Sequence, residues 1–351
     1  MTTTPTATTT TRPTMTAAVT VGHGGPDRIE VRHDWPRPRP GRGQASVRVT
    51  AAAVNNTDIW SREGAYGTTD DPEAVVGWKG VPLDFPLIQG IDIAGEVVEV
   101  GPDVDPAWIG KRVIVDPAAE YDGDYPSHIV GSEVDGGFAQ FYVGDERRLH
   151  DVTKSPLTDA QLSCLPTAYG TSLGMLNRAD CAAGERVLVT GASGGVGMAS
   201  LQLLLARGCE VIARTSEARR DQVAELGVAE VSVRGVDDIS RLRPVDAVVD
   251  VVGGDEFGLI IDRVRDGGRI VTAGAIAGPV VPFDIRRLYL HQRTLIGSTM
   301  HTPADFAQLA RLALVGAVAP LVAATYPLAD IHAAQARFTT GDFVGKLVLE
   351  P

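Results

Sequence analysis

Residues 186–198, Arg-Val-Leu-Val-Thr-Gly-Ala-Ser-Gly-Gly-Val-Gly-Met, constrain the fold of this chain more than any other stretch. Val187 to Thr190 are apolar or β-branched and read as a buried strand. Gly191, Gly194, Gly195 and Gly197 make the next residues a glycine-rich turn. Met198 to Ala206 is an apolar run that reads as a helix stopped by Gly208. Strand, glycine-rich turn and helix form the phosphate-binding start of a dinucleotide fold. Glycine lets the main chain turn tightly and lets a pyrophosphate approach backbone N–H groups, and the helix N-terminus offers it unpaired donors. Ala192 occupies the first position of G-x-G-x-x-G, with Gly194 and Gly197 at the other two. The expected pyrophosphate contacts are Ala192, Ser193, Gly194, Gly195, Val196 and Gly197. No Gly-Lys-Ser/Thr closes the turn, which excludes a P-loop.

The stretch is set in a chain of two characters. From Met15 to about His150, strands alternate with Gly- and Pro-rich turns, clearest at 44–54, 91–100, 111–115 and 138–143. This reads as a mostly β unit. Asp70 to Pro86 is a long loop, of the kind that lines a substrate cleft. From about Thr158 strands and helices alternate, which implies a doubly wound parallel sheet. Further strands are expected at 210–213, 245–252, 269–272 and 294–299, and helices at 217–226 and 303–316. A last strand, Lys346 to Glu350, has a mixed pattern that suits the first unit.

With 351 residues the chain is long enough for two domains. Its formal net charge of -12 argues against a nucleic-acid or anionic-membrane surface. No apolar run reaches the roughly 20 residues of a membrane span. Cys164, Cys181 and Cys209 show no paired spacing, which fits a reducing, cytoplasmic setting. Met1 to Thr14, mostly threonine, lacks the apolar core of a signal peptide and reads as a disordered tail.

A set of short motifs spans nearly the whole chain after that tail. They are Ala-Ala-Val-Asn-Asn-Thr-Asp at 52–58, Gln-Gly-Ile-Asp-Ile-Ala-Gly at 89–95 and Pro-Thr-Ala-Tyr-Gly at 166–170. The glycine turn, Asp-Val-Val-Gly-Gly at 250–254, Gly-Ser-Thr at 297–299 and Gly-Lys-Leu-Val-Leu at 345–349 complete them. In this order and spacing the chain resembles a medium-chain dehydrogenase/reductase of the zinc-free, quinone-reductase-like branch. The resemblance implies a GroES-like β-rich domain plus a Rossmann doubly wound parallel sheet, with expected bounds 15–160, 161–300 and a return to the first domain at 301–351. It also implies that Thr167, Gly253, Ser298 and Lys346, which lie within these motifs, contact the cofactor.

Zinc-dependent members of that family carry a Cys before the Thr-Asp pair, a His-Glu in the second motif and another Cys before the third. Asn55, Ile91 with Asp92, and Ser163 stand there instead, and Asn55, Ile91 and Ser163 are not a catalytic zinc set. The expectation is no metal. Without a Lewis acid the easier reaction is hydride addition to a C=C already polarised by a carbonyl. Asn55 is expected to position the nicotinamide ribose or the substrate. Tyr66 is expected to donate a hydrogen bond or proton to the developing oxyanion. Trp60 and Trp78 are expected at the substrate, Trp60 as an apolar wall.

Cofactor preference is read at the end of the second strand, where NAD enzymes place an acid for the ribose hydroxyls. Here Thr215 occupies that place, followed by Ser216, with Arg214, Arg219 and Arg220 nearby. Guanidinium suits a 2′-phosphate, so NADP(H) is expected, with a small-molecule substrate. The exposed apolar edge at 294–300, which pairs across a two-fold axis in the family, implies a homodimer. A carbonyl reductase, a redox-neutral cyclase or eliminase, and a non-catalytic NADPH-binding protein are the open alternatives.

Overall fold

The computed structural model describes residues 13–67, 71 and 73–351. The chain opens with β1 (Thr14–Thr20), β2 (Ile29–Pro36) and β3 (Gln44–Ala53). Helix α1 (Asn56–Glu63) follows, then β4 (Leu87–Ile88), β5 (Ala94–Val100) and β6 (Arg112–Val115). A hairpin of β7 (Ala118–Asp122) and β8 (Tyr125–Ile129), then β9 (Phe141–Asp145) and β10 (Leu149–Asp151), complete the first segment. Helix α2 (Asp159–Ser163), a π turn at Leu165–Tyr169 and helix α3 (Gly170–Arg178) lead to β11 (Arg186–Val189) and helix α4 (Gly195–Ala206). Then come β12 (Glu210–Thr215), α5 (Arg220–Ala224), β13 (Glu230–Val233), β14 (Val245–Asp250), α6 (Phe257–Ile261), β15 (Val264–Thr272), α7 (Arg286–Tyr289) and β16 (Thr294–Gly297). Helix α8 (Pro303–Leu314), β17 (Val322–Pro327), α9 (Ile331–Thr340) and β18 (Lys346–Glu350) end the chain.

Six strands form one wholly parallel sheet in the order β13-β12-β11-β14-β15-β16. The order reverses at β11, so a crevice opens beyond the carboxyl ends of β11 and its neighbours. Side-chain alternation splits this sheet between two cores. Val187, Val189, Val211, Ala213, Ala247 and Val249 face α3, α4 and α8. Leu188, Ile212, Val248 and Ile270 face Phe257, Ile260 and Ile261 of α6 on the other side. Each buried aliphatic side chain of this kind contributes about 1.5–3 kcal/mol.

The second sheet, β10-β6-β5-β3-β18-β17 with β9 also on β3, draws strands from both ends of the chain. β18 lies antiparallel to β3, with Val348 opposite Ala53. The two-unit architecture is the expected one, GroES-like and Rossmann, and several details differ from the sequence reading. Thr14 already belongs to β1, where it pairs with Pro36. Residues 1–12 of the expected tail lie outside the described residues. The first unit, read as mostly β, holds a helix, α1, that the strand pattern did not indicate. Its signal was a capping box: Asp58 accepts from the Asn55 N–H three residues earlier at 2.8 Å. Helix α4 starts at Gly195, three residues before the apolar run. The expected helix 217–226 is a 3₁₀ turn followed by the short α5. Phe306, Leu309, Ala310 and Ala313 of α8 pack into the core beneath the parallel sheet. Phe306 of α8 also packs against His150 of β10, so this helix meets both units.

Candidate active site

The glycine turn follows β11 directly. Gly191 has φ +58, a left-handed conformation that glycine adopts without strain. A Cβ built on Gly197 would lie 2.1 Å from the Gly191 carbonyl oxygen, so only glycine lets α4 approach the strand this closely. Gly194 caps α4 in an extended conformation and no side chain caps the helix. Its first-turn N–H groups are therefore open to an anion. Val252 N and Gly253 N donate to Asp250 at 3.3 and 3.1 Å, and Thr190 Oγ1 donates to it at 2.6 Å. This fixes the loop after β14 beside the turn. Asp250 was not singled out from sequence, although it opens one of the quoted motifs.

Between the two units lies a buried polar knot. Asp92, with no exposed surface, accepts from Asn55 Nδ2 at 2.9 Å, Thr167 N at 2.7 Å and Lys346 Nζ at 3.3 Å. Lys346 Nζ also donates to Asn55 Oδ1. The Lys346 stem runs past the turn: a Cβ on Gly195 would sit 3.2 Å from its Cδ. Asn55, Thr167, Lys346 and the glycine turn are thus brought together. Asp92 is the charged centre that sequence reading weighed only as a substitution. Below the knot, Asp58 is buried and accepts from Ile91 N at 3.1 Å as well as from Asn55 N. Burial, reinforced by the Asp92 charge, raises its carboxyl to about 7.

Ile91 turns into an apolar cluster with Ala118, Ile129 and Met300, against which Trp78 and Tyr121 pack. Trp78 is half-buried, held there by its indole N–H, which donates to Glu133 at 3.0 Å. Trp60 meets Tyr66 edge to face, with ring centroids 6.0 Å apart. Tyr66 is half-buried, and burial raises its phenol above the usual range, an effect the nearby Thr57 hydroxyl offsets in part. Thr57 is a functional candidate that sequence reading quoted within a motif but did not single out. Ser163 Oγ donates to Ala160 O at 2.9 Å. Cys164 is buried and its thiol is pushed up to about 12 by burial, so it stays protonated and inert.

At the end of β12 the arginines separate. Arg214 is buried and doubly bonded to Glu256, with Nη1 on Ser232 Oγ at 2.7 Å. It is therefore spent within the protein, correcting the expectation that it is available to a phosphate. Arg219 reaches across to Gly341 O, where α9 ends, and exposed Arg220 lies 3.9 Å from Glu217. Thr215 Oγ1 and Thr167 Oγ1 are buried with no hydrogen-bond partner. Ser216 is half-buried beside Thr215. Ser298 N donates to Thr272 O at 2.9 Å, and its Oγ accepts from Arg178 at 3.3 Å.

A switch-point crevice with an uncapped glycine turn, faced by a second β-rich unit, defines an oxidoreductase of the nicotinamide-binding kind. Residues 41–154 match the model of the alcohol dehydrogenase GroES-like domain, and residues 195–315 that of the zinc-binding dehydrogenases. A Sinorhizobium meliloti structure, provisionally named an alcohol dehydrogenase, is 44% identical, with a TM-score of 0.92 over 96% of this chain and 97% of that one. A thermostable alcohol dehydrogenase from Pyrobaculum aerophilum, solved with cobalt and zinc, is 29% identical, with a TM-score of 0.83 over 96% and 99%. Acryloyl-coenzyme A reductase of Sulfurisphaera tokodaii is 27% identical over 93% of this chain and 98% of its own length. Human quinone oxidoreductase is 26% identical over 93% and 94%. The chain belongs to the medium-chain dehydrogenase/reductase superfamily, whose members are oxidoreductases that bind NAD(P)(H) through the Rossmann unit.

Proposed function

We propose that this chain is a zinc-independent, NADPH-dependent reductase of an α,β-unsaturated carbonyl compound or a quinone. The observation that carries this reading is the Lys346–Asn55–Asp92 knot beside Ile91. The two positions that would supply a metal with Cys and His hold an amide bound to an ammonium and a buried hydrocarbon. The ammonium charge also opposes a cation there. Among the described residues no group of three or more His, Cys, Asp or Glu side chains is placed to hold a metal ion. Acryloyl-coenzyme A and quinone reductases among the relatives agree with a conjugated substrate.

The residues present fit a dinucleotide. The open N–H groups at residues 195–197 would take the pyrophosphate with Lys346. The orphaned Thr167 hydroxyl would meet the nicotinamide half, with Asn55, Ser298 and Gly253 around it. Thr215, Ser216, Arg219 and Arg220 would take the adenosine end. Bound there, NADPH supplies a hydride. The chain's own part is to place the substrate and answer the negative charge that grows on its oxygen. Tyr66 is set to donate to that oxygen, and Trp60, Trp78, Ile91 and Met300 exclude water around it.

With NADPH deuterated on the transferred face, an enone product is expected to carry the label on its β carbon. Tyr66→Phe should lower kcat more than it raises KM, since its hydrogen bond strengthens as charge develops. Label on the carbonyl carbon would instead make the protein a carbonyl reductase.

Replacing Arg219 and Arg220 together by Ala should weaken NADPH binding by about ten- to a hundredfold, the worth of one charged hydrogen bond, and leave NADH nearly untouched. Because Arg219 also holds Gly341 O, equal weakening of both cofactors would assign it to that strap and not to the phosphate.

We read the assembly as a homodimer through the β16 edge. That strand is terminal in its sheet, and Leu295 on it and nearby Tyr289 and Leu290 are exposed.

A further inference from the structure

His301 lies one residue beyond the Ser298–Met300 segment and has no exposed surface. Its Nε2 is 3.0 Å from Asp116 Oδ1, a buried carboxylate of the first unit that follows β6. Asp116 also accepts from Ala118 N at 3.0 Å and from the Tyr121 hydroxyl at 3.0 Å, and the Arg148 guanidinium lies 3.7 Å away. His150 stands on the same side, its imidazole held below the usual range by burial. From its own unit, Phe306 of α8 packs 4.8 Å from the His301 ring.

The other ring nitrogen, Nδ1, has no partner. It faces Gly170, where an added Cβ would lie only 2.5 Å away. Gly174, one turn later in α3, would place a Cβ 2.3 Å from Met300 O. These two glycines give α3 a bare strip of backbone on which residues 300–301 rest, and Arg178 Nη1 bonds Met300 O at 2.9 Å. The tautomer follows from these contacts. Asp116 requires the proton on Nε2, and a second proton on Nδ1 would be buried without an acceptor. On this geometry Nε2–H donates to Asp116.

We propose that His301 is a positioning residue: its Nε2–H bond to Asp116 fixes the Ser298–Met300 segment against the first unit and so sets the spacing of hydride donor and acceptor. This rests on the nucleotide reading above, in which that segment faces the nicotinamide. It also explains why a histidine is buried where a merely space-filling role needs no donor.

The test uses two variants of the full chain. His301→Phe fills the same space without the donor, and His301→Gln keeps an N–H at similar reach. His301→Phe should lower kcat for enone reduction at least about tenfold, the scale of one buried hydrogen bond to a charged group, while NADPH Kd moves less than about twofold. His301→Gln should recover most of that loss, and His301→Phe, which leaves Asp116 one donor short, should melt somewhat lower but still bind NADPH. A wild-type kcat in His301→Phe would overturn the proposal, as would equal losses in both variants that follow their melting temperatures. A readout independent of turnover is the nitrogen-15 spectrum of the imidazole. It should show an Nε2 proton hydrogen-bonded to a carboxylate, with that hydrogen-bonded proton lost in Asp116→Ala. A ring unaffected by Asp116→Ala would overturn the clasp. If the wild-type protein reduces no enone or quinone with NADPH, the functional reading fails, and the spectrum still decides the clasp.

Discussion

Gly197→Ala is expected to abolish measurable nucleotide binding at micromolar protein. The added methyl would lie 2.1 Å from the Gly191 carbonyl oxygen, 2.7 Å from its carbon and 2.8 Å from Ala192 Cα, all of them backbone. No rotamer relieves that contact, so the start of α4 must swing away from β11. Overpacking of this kind costs about 1–3 kcal/mol of stability, which the fold should survive. Binding suffers more, because the displaced N–H groups at residues 195–197 are those proposed to hold the pyrophosphate. Losing two charge-assisted bonds at about 1.5–3 kcal/mol each weakens affinity by a hundredfold or more. Gly194→Ala leaves α4 in place, so any affinity it loses reports lost room for the phosphate and not movement of the helix. Its φ of −81 suits any residue and its Cβ would meet only Gly191 O, at 3.4 Å. Titration of nucleotide fluorescence against both variants, with melting curves alongside, separates binding from folding. Wild-type affinity in a folded Gly197→Ala protein would remove the turn from the cofactor site.

Much of this arrangement was legible in the residue string, and the parts that were not share a cause. The parallel sheet announced itself in short apolar runs such as Val187 to Thr190, closed by Gly191, whereas β13, Glu-Val-Ser-Val with two polar residues of four, was not expected. The return of Lys346–Glu350 to the first unit was legible from its mixed pattern. Helix α1 was missed because its residues, Asn-Thr-Asp-Ile-Trp-Ser-Arg-Glu, show little apolar periodicity. It is held by its Asn55–Asp58 capping box and by the buried Arg62, whose Nε donates to Gly24 O at 3.1 Å. Arg214 reads as a free cation until its partner Glu256, 42 residues away, is seen to take both of its outward N–H groups. The Asp116–His301 pair spans 185 residues and two units, and no local spacing encodes it. Long-range polar pairings of this sort are settled by packing, and a single sequence carries no periodic trace of them.

Lys346→Met is expected to destabilise the protein by about 3–5 kcal/mol, the cost of leaving a buried charge without its partner. Asp92 has no exposed surface and Lys346 is 5% exposed, so water does not reach the carboxylate when the ammonium goes. Two donors remain, Asn55 Nδ2 at 2.9 Å and Thr167 N at 2.7 Å, and neither carries a charge. Asn55 loses as well, since its Oδ1 accepts from the same Nζ. Asp92→Asn in the Lys346→Met background removes the stranded charge, keeps an acceptor for Thr167 N, and should restore most of the stability in urea unfolding. The double variant should not recover nucleotide affinity, because the positive charge beside Gly195 is still missing. The two observables therefore separate the roles of one side chain. Stability that returns without binding supports Lys346 as both the counter-ion of Asp92 and a phosphate ligand. Full recovery of both would reduce it to a counter-ion. A Lys346→Met protein as stable as the wild type would mean that the ammonium is not what balances Asp92, and the charge balance drawn for this site would fall with it.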